Sequence, residues 1–317
     1  MPTAADDLGT VVVVTVISLP ETVADDLLGP LPDTGQIVVW DGTGERPQRA
    51  EEIEFFVARY NAPPPRREAL AGLPRLRVIQ LLSAGVDHWL PVVPDGVLLC
   101  NARGVHGAST AELGIAGLLA ILRRIPEFVA GQQAHAWRRL EGDGLVGRRV
   151  LVVGAGDIGE RVAGVVRLLD GQVTVVARTA RAGVHGFADL PGLLPDHDVV
   201  VLAVPLTDET RHLVDAAFLA ALPDGAVVVN VARGPVIDTD ALLAELTARR
   251  LHAFLDVTDP EPLPADHPLW DAPNLLLTPH VGGGTAGWTG RAYRLAGEQI
   301  RRFLAGEELV NQVHRGY

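Results

Sequence analysis

The sequence predicts an α/β protein of two doubly wound parallel-sheet domains, a Rossmann cofactor domain inserted in a flavodoxin-like substrate domain. Three observations point there. Short, nearly uninterrupted β-branched runs alternate with helical patterns along almost the whole chain, as strands of a sheet covered on both faces do. The glycine pattern GAGDIG, 154–159, stands between one such run and a helix. The length, 317 residues, of which 48% are hydrophobic, suits two domains with substantial cores.

Taken in order, the expected strands of the first part are Val11–Ile17, Ile37–Trp40, Val78–Leu81 and Val97–Cys100. APPPRREALAGLP, 62–74, reads as a Pro-rich loop entering a helix. A long apolar helix, Thr110–Leu122, follows Ser109, a good N-cap, with Glu112 in its first turn. This helix is expected to carry the chain from one domain to the other. Strands Val150–Val153, Val173–Ala177, Val199–Ala203, Val227–Val231, Leu251–Leu255 and Leu275–Leu277 follow. A second crossing is expected just after His280, with helix Tyr293–Leu304 packing back on the first domain. The substrate domain is thus 1–100 with 284–317, and the dinucleotide-binding domain 101–283.

Composition excludes several classes. A net charge of −12 argues against a nucleic-acid partner and against an anionic membrane surface. The single cysteine, Cys100, excludes an intrachain disulfide and a Cys-based zinc site and fits a reducing compartment. No metal site is expected. No window approaches the roughly 18 apolar residues of a membrane span, and the N-terminus lacks the basic start of a signal peptide. The cytoplasm is the expected location.

RRVLVVGAGDIGERVAG, 148–164, has a strand before its glycines and a helix after them. Gly154 permits a tight turn, Gly156 lets backbone approach a pyrophosphate, and Gly159 lets helix and strand pack closely. N–H groups around Asp157 and Ile158 lie at the positive helix end, where phosphates bind. An acidic residue is usual about 20 residues on, at the tip of the next strand, to hold a ribose. Here that tip carries Arg178, Thr179 and Arg181. Pro205, Thr210, Ala232 and Asp256 end later strands, where a cofactor would pass.

Three strand-end residues carry possible chemistry. Arg233 can grip a carboxylate with two parallel bonds and polarise a carbonyl. His280 can give a proton to an alkoxide as hydride arrives at carbon, and Glu261 can orient it and favour its protonated form. Each also has a plainer reading. Arg233 could cap a carbonyl, Glu261 could be a solvated loop acid, and His280 a hydrogen-bonded loop histidine.

The ordered segments SAGVDHW (83–89), NARGVHGASTAELGIAGLLAILRR (101–124), GRRVLVVGAGDIGERVA (147–163), PLTDETRHLV (205–214), NVARGPVIDTDALLAEL (230–246), LDVTDPEPLPADHPLW (255–270) and NLLLTPHVGG (274–283) resemble the D-isomer-specific 2-hydroxyacid dehydrogenases over nearly the whole chain. The resemblance implies Arg233 as substrate clamp, Glu261 as partner of the histidine, and His280 as general acid/base. It implies that the N–H groups of Ala84, Gly85 and Val86 help hold a carboxylate, and that Asp256 sits near the nicotinamide carboxamide. It further implies a homodimer paired through an arm that includes the long helix. Trp137 and Trp288 are expected to pack that dimer rather than line the pocket.

Departures matter for the cofactor. Arg178 stands where NAD-linked members have Asp and Ala203 where many have His, so NADP(H) is expected over a still possible NAD(H). Ala102 and Arg103 replace a common Thr-Pro, and no role follows for Arg103. No added regulatory domain is expected after the returning helix. The expected activity is reduction of small 2-keto acids such as glyoxylate or hydroxypyruvate. The alternatives are oxidation of an inorganic oxyanion of the phosphite type and a non-catalytic nucleotide sensor.

Overall fold

A computed structural model describes residues 14–313. The described chain forms two compact units, one running to Val105 and resuming at Thr289, the other spanning His106–Trp288. Both divisions lie five residues beyond the expected 100/101 and 283/284.

The first unit is a five-stranded sheet of β1 (Thr15–Leu19), β2 (Gly35–Val39), β3 (Ile53–Val57), β4 (Val78–Gln80) and β5 (Leu98–Cys100), with short helices α1 (Asp25–Leu28) and α2 (Arg67–Ala71). Every strand pair is parallel and the order is β2-β1-β3-β4-β5, the doubly wound flavodoxin-like order. Of the expected Val11–Ile17 run, residues 11–13 lie outside the described residues, and the strand extends to Leu19.

β3 is the central strand, and the reading of the sequence omits it. Glu51, Glu52 and Glu54 interrupt the apolar pattern, yet Ile53, Phe55, Phe56 and Val57 are fully buried. Phe56 packs edge-on to Trp40 at 6.1 Å, and Phe55 meets Phe303 of the C-terminal helix at 5.4 Å. That helix, Trp288–Ala305, starts five residues before the expected Tyr293.

The second unit has seven strands: β6 (Arg149–Val153), β7 (Gln172–Ala177), β8 (His185–Gly186), β9 (Val199–Leu202), β10 (Val227–Asn230), β11 (His252–Leu255) and β12 (Leu275–Leu277). They are parallel throughout, in the order β12-β11-β10-β9-β6-β7-β8. The order reverses between β6 and β9, the Rossmann switch point. β8 escapes the sequence because two residues, His185 and Gly186, make no apolar run. Its helices are α3 (Gly107–Leu122), α4 (Ile125–Gln133), α5 (Asp157–Leu168), α6 (Leu190–Leu193), α7 (Ala216–Ala221) and α8 (Thr239–Thr247), and α9 (Trp288–Ala305) leads out of it.

The start of α3 corrects an expectation. The helix begins at Gly107, with His106 as N-cap, and Ser109 lies inside it. A cap hydroxyl accepts bonds from N–H groups, whereas the Ser109 and Thr110 hydroxyls donate to the His106 carbonyl at 2.9 and 3.0 Å. Glu112 therefore falls beyond the first turn. α3 lies flush on the sheet because Gly117 has no side chain: a Cβ there would stand 2.3 Å from the buried Phe254 ring. Among the described residues, no helix is long and apolar enough to cross a membrane.

Candidate active site

The glycine loop joins β6 to α5 at the switch point. Gly154 holds φ +123°, which favours glycine, and a Cβ there would lie 2.2 Å from the Ala203 carbonyl. A Cβ on Gly159 would lie 1.8 Å from the Gly154 carbonyl, so the helix can rest on the turn only with glycine at 159. Gly156 is the α5 N-cap, and nothing lies within 4 Å of where its Cβ would be. Open space over a helix N-terminus whose first N–H groups point outward fits a dinucleotide pyrophosphate. Asp157 and Ile158 open that helix.

Arg178 and Thr179 follow directly on β7 and are exposed. Arg181 pairs with Val184 through both backbone bonds, at 2.9 and 2.8 Å, and this turn sends its guanidinium back to the Ala155 carbonyl, 3.4 Å away. The segment after β9 closes on itself. The buried Thr210 hydroxyl donates to Pro205 O at 2.6 Å and accepts from Thr207 N at 2.8 Å. Thr210 thus shapes the turn that carries Pro205.

The chemical residues Arg233, Glu261 and His280 lie beyond the C-terminal ends of three neighbouring strands, β10, β11 and β12. His280 Nδ1 lies 2.5 Å from Glu261 Oε1, with both side chains about two-fifths exposed, at 42% and 40%. Partial burial pushes the Glu261 carboxyl up. The bond to His280, the charges of His280 and Arg233, and the Thr258 backbone outweigh that and hold it below its ordinary value. The pair is therefore a carboxylate holding one imidazole nitrogen, with Arg233 near enough to act on the same carboxylate. On the Arg233 side, Gly234 allows a close approach, since a Cβ there would lie 1.9 Å from the Thr258 carbonyl.

Two residues the sequence reading passed over build these positions. Asn230, the one polar residue of VVVN, is buried at the end of β10, accepts from Ala232 N at 3.0 Å and donates to Arg233 O at 2.9 Å. It bends the backbone that presents Arg233, whose guanidinium also donates to Ala232 O at 2.6 Å. Thr278 belongs to a second knot. The buried Asp256 carboxylate accepts from Thr278 Oγ1 (2.6 Å), Val281 N (2.9 Å) and Gly282 N (2.9 Å). Its carbonyl accepts from His280 N at 2.7 Å. This knot holds His280 at φ +54°, a left-handed conformation a non-glycine residue keeps only when its surroundings enforce it. The Asp256 carboxylate anchors the His280 loop.

In the first unit, the loop after β4 carries Ala84, Gly85 and Val86. Asn101 Nδ2 donates to Ala84 O at 2.9 Å, Ala102 N to Ser83 O at 2.8 Å, and Ser83 Oγ to Gly85 O at 3.1 Å. Those bonds engage carbonyls and orient the loop.

The fold and the glycine cradle define a two-unit α/β protein whose second unit is a dinucleotide-binding domain. Residues 115–282 match the model of the D-isomer specific 2-hydroxyacid dehydrogenase NAD binding domain. A glyoxylate reductase of Thermofilum pendens is 34% identical over 77% of the chain and 78% of that protein. A D-3-phosphoglycerate dehydrogenase of Mycobacterium tuberculosis is 34% identical over 78% of the chain but 49% of its own length, so the chain spans about half the length of such relatives. The solved D-isomer specific 2-hydroxyacid dehydrogenase of Xanthobacter autotrophicus Py2, in complex with NADPH and MES, is 33% identical. It aligns over 96% of this chain and 99% of its own with a TM-score of 0.81. The chain belongs to the D-isomer specific 2-hydroxyacid dehydrogenase family.

Proposed function

We propose that the protein reduces small 2-keto acids, of the glyoxylate or hydroxypyruvate kind, to D-2-hydroxy acids, with NADPH preferred over NADH. The observation that carries this reading is the 2.5 Å His280–Glu261 pair with Arg233 beside it. A bound nicotinamide dinucleotide supplies the hydride. His280, protonated and held through Nδ1, presents Nε2 to give a proton to the carbonyl oxygen as negative charge develops there. Glu261 stays ionised and fixes the ring. Arg233 grips the carboxylate and draws electron density from the carbonyl. The N–H groups of Ala84, Gly85 and Val86 add donors for the same carboxylate.

Gly154, Gly156, Asp157, Ile158 and Gly159 form the pyrophosphate cradle, Pro205, Thr210 and Ala232 border the rest of the cofactor, and Asp256 serves the site by holding the His280 loop. Arg178, Thr179 and Arg181 supply the preference for a 2′-phosphate, with a planar fork where a ribose-binding acid is usual. The relatives named glyoxylate reductase and the NADPH complex of a 33% identical protein support the reading. The relatives named D-3-phosphoglycerate dehydrogenase favour a second one, oxidation of a phosphorylated 2-hydroxy acid at the same three residues.

The test is a panel of glyoxylate, hydroxypyruvate, pyruvate and 3-phosphohydroxypyruvate against NADPH and NADH, followed by nicotinamide absorbance. Turnover of the small acids with NADPH is expected. Turnover of the phosphorylated acid alone would favour the second reading, and an equal or greater kcat/KM with NADH would remove the preference.

The partner is a second copy of the chain. Ile125, Phe128 and Val129 of α4 are exposed, and Trp137 just beyond is 94% exposed, an apolar surface of the kind that marks protein interfaces. Light scattering should report twice the chain mass, and Trp137→Arg should shift it toward the monomer.

A further inference from the structure

The glycine loop contains an electrostatic conflict. Asp157 is the first residue of α5, and a pyrophosphate brings two negative charges to that helix end. A carboxylate there is favoured by the helix field, but it competes with the phosphates for the N–H groups they need. Among the described residues, neither Asp157 oxygen accepts a bond from an α5 N–H. Oδ1 pairs with Arg161 Nε at 2.7 Å, one helical turn along. Oδ2 is buried and makes no hydrogen bond. It points at Gly107, the first residue of α3, where a Cβ would lie 1.7 Å from that oxygen and 2.5 Å from the carboxyl carbon. The slot that receives the oxygen exists only because residue 107 has no side chain.

A buried carboxylate oxygen without a donor is costly and calls for a reason. We propose that Gly107 and Arg161 hold the Asp157 carboxylate aside, so that the first-turn N–H groups of α5 are left to the cofactor pyrophosphate. Arg161 neutralises the acid and fixes its rotamer, while Gly107 makes room for the oxygen turned away. Both are positioning residues and touch no phosphate. The inference rests on the reading that this loop holds a dinucleotide, and it adds two residues that reading did not include.

Calorimetric titration of NADPH and NADH into the wild type, Arg161→Gln, Asp157→Asn and the double variant tests it, with thermal melting as the check on folding. Arg161→Gln should weaken both cofactors roughly tenfold at low salt, as one loose charge near two phosphates would, and the defect should shrink in high salt. Both cofactors should suffer alike because they share the pyrophosphate. The double variant should return to within about twofold of wild type, since the two residues act as a coupled pair. Asp157→Asn alone should bind both cofactors more tightly at low salt, because it removes a negative charge beside the phosphates and leaves Arg161 unneutralised. Gly107→Ala should imitate Arg161→Gln and be rescued by Asp157→Gly. An Arg161→Gln defect that persists in the double variant would overturn the proposal and make Arg161 a direct phosphate ligand. Weaker binding in Asp157→Asn, or wild-type binding in both Arg161→Gln and Gly107→Ala, would overturn it too. A wild type that binds neither dinucleotide would instead sink the reading of the loop itself.

Discussion

Asp256→Asn separates a structural anchor from a cofactor contact. The wild-type carboxylate accepts three bonds from 278–282, two on Oδ1 and one on Oδ2. Asparagine is nearly isosteric, but only one of its two terminal atoms accepts. With its oxygen in the Oδ1 place, the Thr278 and Val281 bonds survive without their charge. The amide nitrogen then faces the Gly282 N–H, donor against donor. One charge-assisted bond is lost and one buried N–H is left unpaired, each about 1–3 kcal/mol, so the expected cost is about 2–6 kcal/mol. For a unit of this size, that lowers Tm by about 4–24 °C. The loosened loop should also release His280 from its left-handed backbone, so kcat should fall while the Kd for cofactor changes little. Differential scanning fluorimetry, steady-state kinetics and cofactor titration read the three quantities. An unchanged Tm with a large loss of cofactor affinity would refute the anchor and return Asp256 to the carboxamide.

Other outcomes follow from the same geometry. His280→Ala should cut kcat by roughly the 10²–10⁴ of a general acid, and Glu261→Gln should move the pH–rate profile for reduction to lower pH, because the protonated imidazole loses its anionic partner. The Glu261 carboxyl sits below its ordinary value, so its stabilising contribution is complete above that value and lost as pH falls through the folded one. The Tm difference between wild type and Glu261→Gln should therefore shrink and vanish in acid, as pH falls through that lowered value. Arg178→Asp should lose roughly 10- to 150-fold in NADPH affinity, the range for one charge-assisted contact, and partly gain NADH. Burial pushes the Cys100 thiol up to about 11 against a smaller opposing bond from Gln299. Ellman titration at pH 8 should therefore find it unreactive until the protein unfolds. Tyr293, buried in α9, donates to Glu21 Oε1 at 2.6 Å. Tyr293→Phe should cost about 1–2 kcal/mol, since Glu21 is exposed and rehydrates, seen as a lower denaturation midpoint.

The sequence reading recovers the alternation of strands and helices and every strand of the second sheet but β8. Those strands are mostly near-continuous apolar runs, and continuity is the mark of burial on both faces. β3 is invisible by the same criterion, because its flanking glutamates hide Ile53, Phe55 and Phe56. The start of α3 is misread because Ser109 looks like a cap by type, while its hydroxyl proves to be a donor. Arg233, Glu261 and His280 are legible because each follows a strand end in an unusual local setting. Asn230 and Asp256 are not, because what they do depends on carbonyls and N–H groups brought near by the fold. For Asp256, those groups lie 22 to 26 residues along the chain.

The points at which the chain enters and leaves the second unit add something of a different order. His106 is the first residue of that unit and Trp288 the last, and their rings lie 5.9 Å apart. A segment whose two ends touch can be spliced into a host loop without prising that loop open, which is why inserted domains tend to have adjoining termini. The dinucleotide-binding unit is in that sense a cassette. Exchanged between relatives by joining at two neighbouring residues, it would carry the glycine cradle and Arg233, Glu261 and His280 together as one part.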